Sequence, residues 1–272
     1  MAALLGDLIA VFEELWPISG AEEWDAPGLI CGSTGSRVSR VLFTVDVTDE
    51  VVQEAIDGSF DLIVAHHPLL LRGVKTVAES TSKGSILAKA IRAGVSIYAA
   101  HTNADIVSRG VSAALADAFS LVNSRPLIET AASQGHGRIG DLASSTSLGE
   151  LAKHIARVIP PTASGIRVAG EFDSMVNSVA LCGGAGDSFI DAAYAAGVDV
   201  YVTSDLRHHP VQEALERAKA DGRKFALIDI SHWAAEWLWL EWAAADIHGR
   251  FASIQVVVSE LRTDPWDFSV TQ

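Results

Sequence analysis

The chain has 272 residues, 49% apolar and 20% charged, and a formal net charge of −14. That length supports one large domain or two ordinary ones, and so acidic a balance excludes general nucleic-acid or anionic-membrane binding, which needs a basic face. Two cysteines, Cys31 and Cys182, imply no disulfide framework and suit a reducing cytosol.

Leu4, Leu8 and Phe12, flanked by Leu5 and Ile9, recur at helical spacing and predict a first helix ending near Pro17. This opening segment carries Asp7, Glu13 and Glu14 and no basic residue ahead of its apolar positions, so it reads as an amphipathic helix rather than a signal peptide. Strands and helices then alternate. VSRVLFTVDV is a strand, and TDEVVQEAIDG a helix capped by Thr48 and closed by Gly58. DLIVA (strand), SILAKAIRAG (helix), VSIYAA (strand) and VSAALADAF (helix) follow, and the stretch from Ser124 to Gln134 has no period and reads as a linker or crossover. Beyond it come the strand-like GRIGDL, a helix opening on the capping box Ser147-Leu148-Gly149-Glu150, and the strands IRVAG and SVALC. SFIDAAYAAG (helix), DVYVT (strand), HPVQEALERAKADG (helix), FALIDI (strand), SHWAAEWLWLEWAA (helix) and SIQVVVSE (strand) complete the chain. The most apolar long segment, Trp233 to Ile247, is interrupted by Glu236, Glu241 and Asp246 and falls short of a membrane span. The expectation is a cytoplasmic α/β protein without a membrane partner, its apolar strands covered on both faces of largely parallel or mixed sheets.

A weak internal echo runs through this order. Glu50 to Leu69 reads helix, glycine, aspartate, strand, two histidines, proline, and Ser188 to Val211 reads the same with a longer turn before its histidine pair. βαβ units resemble one another in any case; the alternative is two related α/β lobes facing each other across one site. The division expected is residues 1–123 and 124–272, with the last strand free to pack back on the first lobe.

Ligands in open parallel sheets bind outside the carboxyl ends of strands. Four predicted strand ends carry polar clusters: His66-His67, His101 to Asp105, Ser204 to His209, and Ser231-His232 followed by Glu236. Each has an ordinary reading. His232 and Glu236, four apart, form a common helix-surface pair; Asp105 suits a turn or cap; His66-His67 suits a hydrogen-bonded turn. His136 and His154 read as solvated surface residues. Adjacent histidines in extended chain diverge and do not easily grip one ion together. Two ions about 3.5–4 Å apart change this, each histidine serving one while a carboxylate bridges. Imidazole and carboxylate without thiolate suit zinc, iron, manganese, cobalt or nickel alike. LCGGAGDS lacks the Lys-Ser/Thr ending of a P-loop and the spacing of a dinucleotide fingerprint, and reads as a tight turn. There is no GxSxG elbow and no CxxC.

AHHP, HTNAD, GGAGDSF with TSDLRHHP, and SHWAAE, in that order, resemble the family of GTP cyclohydrolase 1 type 2 homologues, also called NIF-three-like proteins. WDAPGLICG resembles the family's Trp-Asp-Asn-x-Gly-Leu-x-x-Gly motif, with Ala26 where asparagine is common; Ser204 stands where glycine is frequent. The resemblance implies two α/β lobes around a central metal-binding cleft and two divalent transition-metal ions per subunit, held by His66, His67, Asp105, His232 and Glu236. It also implies a toroidal homohexamer. The chain is too short for the large middle domain of some relatives. Two functions compete. One is a metal-dependent hydrolase using metal-activated water on a small molecule, GTP or another nucleotide, with His101, His208 or His209 moving protons and Arg207 meeting a phosphate. The other is a non-catalytic metal-storage, chaperone or adaptor ring. Five side chains for two ions leave open coordination positions, which favours the enzyme.

Overall fold

The structure is a computed structural model and describes residues 2–131 and 133–271. Met1 and Gln272, at the ends of the two expected lobes, and Ala132, within the expected crossover, lie outside the described residues.

In chain order the elements are β1 (Ala3–Leu4), α1 (Leu5–Leu15), β2 (Gly28–Cys31), β3 (Arg37–Val38), β4 (Arg40–Thr44), α2 (Asp49–Asp57), β5 (Leu62–Ala65), α3 (Ser82–Ala93), β6 (Ser96–Ala99) and α4 (Thr102–Asp105). Then come α5 (Val111–Ala118), β7 (Val122–Arg125), β8 (Ile128–Ala131), β9 (Gln134–His136), β10 (Arg138–Ser147), α6 (Leu148–Val158), β11 (Arg167–Ala169) and β12 (Met175–Ala185). The last are α7 (Ile190–Ala195), β13 (Val200–Ser204), α8 (His208–Ala220), β14 (Ala226–Ile230), α9 (His232–Arg250) and β15 (Gln255–Val258). The fold is mixed α/β. Two compact units divide it: Met1–Ala104 with Leu240–Thr263, and Asp105–Trp239 with Asp264–Gln272. The boundary between these units falls inside α4, and α5 packs on β10 and β12 of the second sheet.

The first unit holds a five-stranded sheet in the order β15-β4-β5-β6-β2, parallel except for β2, which runs antiparallel to β6. Strand β15 pairs parallel with β4, Gln255–Val258 against Arg40–Phe43. All four residues of β5 are buried, as a central parallel strand covered on both faces requires. Leu42, Ile63 and Ile97 pack against Val51, Val52 and Ala55 of α2 and Leu87 and Ala90 of α3. The ring of Phe12 from α1 meets Tyr98 at 4.7 Å and Trp16 at 5.5 Å. The Thr48 side chain accepts from the Val51 amide (3.2 Å) to start α2, and Gly94 at φ +75° ends α3 in the left-handed region.

The second unit holds a six-stranded sheet in the order β11-β14-β13-β12-β10-β7. Its centre, β12-β13-β14, is parallel, and β10, β7 and β11 pair antiparallel. Ala180, Tyr201 and Leu227 pack against Ile190 and Ala193 of α7 and Ala214 and Ala218 of α8. The stretch Ser124 to Gln134, expected as a linker or crossover, instead holds the end of edge strand β7, all of β8 and the first residue of β9, with which β8 pairs antiparallel. All four residues of β7 are exposed, so no buried face imposed an apolar alternation on the sequence. No helix among the described residues is long and apolar enough to cross a membrane.

Candidate metal centre

Strand β5 delivers His66 and His67 directly from its carboxyl end, and β6 delivers His101 two residues beyond its own. The three rings form a near-equilateral triangle, with centroids 5.1, 5.2 and 5.3 Å apart, and offer ligand atoms all within 4.8 Å of one another. His66 is fully buried; His67 and His101 are partly so. Each ring is held through Nδ1. His66 Nδ1–H donates to the Ala100 carbonyl (2.9 Å), His67 Nδ1–H to Asp46 Oδ1 (2.7 Å), and His101 Nδ1–H to Asp25 Oδ1 (2.7 Å). A proton on Nδ1 leaves the lone pair on Nε2, which is how metal-binding imidazoles are usually set.

Asp25 is the most heavily engaged of these supports. It also accepts from the Ala26 amide (2.7 Å), the Thr102 amide (3.0 Å) and the Thr102 hydroxyl. Burial alone would raise its pKa, but the hydrogen bonds from His101 and Thr102 hold the carboxyl down at about 2. Asp46 takes a second hydrogen bond, from Thr263. The sequence singled out neither carboxylate as functional, although Asp46 follows the strand-end rule, two residues past β4, and Asp25 sits inside WDAPGLICG.

The second unit builds a smaller constellation. His232 opens α9 and Glu236 follows one turn later, buried at 3% exposure; His232 Nε2 lies 2.9 Å from Glu236 Oε1. Its Nδ1–H donates to Asp205 Oδ2 (2.7 Å). Asp205 adopts φ +56°, a left-handed conformation that a non-glycine residue holds only when its surroundings require it. Burial would lower the His232 pKa, but the carboxylates of Glu236 and Asp205 push it up to about 11. Asp105 closes α4, and both it and Glu236 act electrostatically on the buried Cys182 thiol, which burial first and these carboxylates next push up to about 12. Nitrogen and oxygen donors, their rings set by carboxylates or a carbonyl behind them, fit a metal ion.

The other expected residues fall elsewhere in their unit. His208 and His209 start α8 and are exposed; their rings touch edge to face at 5.1 Å and make no side-chain hydrogen bond among the described residues. Arg207 pairs with Asp187 and, with His208, borders a cavity of about 420 Å³ floored by Val168, Val211, Leu215 and Leu227. No expected metal ligand lines that cavity. His136, expected on the surface, is half-buried and stacked on Phe189.

The family model described as Duf34/NIF3 (NGG1p interacting factor 3) matches residues 3–265. The chain belongs to the Duf34/NIF3 family. A "GTP cyclohydrolase 1 type 2 homolog" of Streptomyces coelicolor is 46% identical, covering 96% of this chain and 93% of that Duf34/NIF3 relative. One of Mycobacterium tuberculosis is 32% identical over 98% of this chain and 97% of the relative; that alignment runs over 376 positions, so the relative has residues this shorter chain lacks. Among solved structures, a Bacillus cereus protein related to NIF3 superposes with a TM-score of 0.91 at 24% identity, covering 98% and 99% of the two chains. A Staphylococcus aureus hypothetical protein does so at 0.87 and 28%, with the same coverage.

Proposed function

We propose that the chain is a metal-dependent hydrolase that holds two divalent transition-metal ions per subunit and acts on a nucleotide or related small molecule. The observation that carries the reading is the orientation of the histidines. His66, His67 and His101 each hold Nδ1 against a fixed acceptor, the tautomer that makes Nε2 the ligating nitrogen, and their ligand atoms lie within 4.8 Å of one another. The proposed ligand set is His66, His67, Asp105, His232 and Glu236, and the proximity of His101 to His66 and His67 supports it as a further ligand. Bound ions of this kind supply Lewis acidity and make a water more acidic. Asp25, Asp46 and Asp205 hold the imidazoles in the ligating tautomer and raise their basicity. His208 and His209, exposed and free to exchange protons with solvent, are the proposed proton carriers, and Arg207 the proposed contact for a phosphate. The relatives' name supports a nucleotide as the substrate class.

Elemental analysis of protein purified without chelator, followed by a turnover screen of the loaded protein on nucleotides and phosphoesters, tests the proposal. About two ions per chain and hydrolysis of at least one nucleotide are expected. Activity should fall on the acid side with an apparent pKa of about 6 to 8, because imidazole ligands must be unprotonated. A stoichiometry near zero after reconstitution overturns the metal reading. Full occupancy without turnover leaves the storage, chaperone or adaptor role.

A further inference from the structure

The glycine-rich turn Gly183-Gly184-Ala185-Gly186 ends β12 beside the His232–Glu236 pair. Gly184 has φ +72°, and a β-carbon added there would lie 2.7 Å from Glu236 Oε1 and 3.4 Å from His232 Nε2. Real β-carbons essentially never approach a heavy atom within 3.0 Å. The turn has no freedom to retreat. The Thr203 hydroxyl donates to the Gly184 carbonyl (3.0 Å), the Tyr201 hydroxyl to the Gly186 carbonyl (2.8 Å), and the Gly183 amide to Ser112 Oγ (3.2 Å). Thr203 and Tyr201 are fully buried in β13, and Ser112 is buried in α5. Glu236, whose carboxylate would have to shift to admit a β-carbon, is itself buried.

We infer that Gly184 is a positioning residue for the metal: its missing β-carbon keeps open the space beside Glu236 Oε1 and His232 Nε2, and β13 and α5 clamp the turn at that distance. The inference rests on the metal-binding reading above. A turn serving conformation alone needs only the positive φ. Gly197, which follows α7, is such a glycine: its φ is +83°, and an added β-carbon would meet nothing within 4 Å.

That contrast supplies the control. Gly184→Ala and Gly197→Ala impose the same left-handed strain on an alanine, but only the first places a methyl group against the ligand atoms. Thermal denaturation in chelator, Zn²⁺ calorimetry and the visible absorption of the Co²⁺-loaded protein should be measured for both. Comparable losses of thermal stability are expected, with the affinity for one ion falling more than about tenfold, and the Co²⁺ spectrum changing, only in Gly184→Ala. Thr203→Val keeps the volume, removes the hydrogen bond to Gly184, and should weaken that ion about three- to tenfold. If Gly184→Ala does not fold, an unchanged affinity in Thr203→Val overturns the inference. If wild type binds metal and Gly184→Ala matches Gly197→Ala in affinity and spectrum, the inference fails and the metal reading stands. A wild type that binds no metal sinks both.

Discussion

Strand β5 in the first unit and β13 in the second begin from the same local architecture, an aspartate just before each strand. In the first, Asp61 accepts from the Ser39 amide (2.7 Å), the Ser39 hydroxyl (3.0 Å) and the Arg40 amide (3.0 Å). In the second, Asp199 accepts from the Asn177 amide (2.8 Å), the Ser178 amide (3.0 Å) and the Ser178 hydroxyl (3.1 Å). The backbone of each aspartate repeats too: its amide donates to the preceding strand (Arg40, Ser178), and its carbonyl accepts from the following one (Ser96, Ala226). Counted from these clamps, His66 and His67 correspond to Ser204 and Asp205, not to His208 and His209. The second doublet lies four residues further from its clamp than the first, on the exposed first turn of α8. Its place is taken by a left-handed aspartate that holds His232, at the start of α9. Matching frames thus present opposite chemistry: two histidines, held by a carbonyl and a carboxylate, in one, and a carboxylate holding a histidine in the other.

Exchanging the doublets' fates is the strongest way to break this comparison. His66→Gln or His67→Gln should lower Zn²⁺ affinity by at least about 100-fold, whereas His208→Gln or His209→Gln should change it less than about twofold, since ligands outrank even their supports. Calorimetric titration decides, and equal losses would mean the two doublets act alike.

Glu236→Gln tests the second unit. In the metal-free protein Glu236 and Asp205 hold His232 protonated up to about pH 11, so metal binding near pH 8 must expel that proton. Binding calorimetry in buffers of different ionisation heat should show proton release in wild type, a smaller release in Glu236→Gln, and a weaker ion than in His208→Gln. The same release in both proteins would remove Glu236 as the partner of His232.

The supporting carboxylates come next in size. Asp25→Asn and Asp46→Asn should each weaken metal binding about 10-fold. Because the Asp25 pKa is depressed from 3.8 to about 2, its contribution is present above pH 4 and lost as pH falls towards 2. Chelated Asp25→Asn should be about 2 kcal/mol less stable than wild type at pH 7, with the gap roughly halved at pH 3. A gap constant with pH would mean that packing, not charge, sets it.

The smallest effect belongs to the twin clamps. Asp61→Ala and Asp199→Ala should each cost about 1–2 kcal/mol by freeing strand-end donors, with metal stoichiometry unchanged. Chemical denaturation in chelator measures the cost, and strongly unequal losses would weaken the equivalence of the frames.

Much of this was legible in the chain. Alternating strands and helices, the caps at Thr48 and Ser147, and the histidines at strand ends all follow from local periodicity and hydrogen-bonding needs that neighbouring residues express. The doublet His66-His67 and the His232–Glu236 pair were visible because their spacing is itself the chemistry. The β8–β9 hairpin and β7 were not, since exposed strands need no apolar pattern. Nor were Asp25, Asp46 and Asp205, which stand 76, 21 and 27 positions from the histidines they hold. Gly184 looked like any turn glycine until a buried glutamate appeared against it. Residue type and short spacing are written locally, and a sequence by itself determines them. Which carboxylate turns which ring, and where a missing β-carbon leaves room, depends on strands brought side by side, and only the tertiary structure decides that.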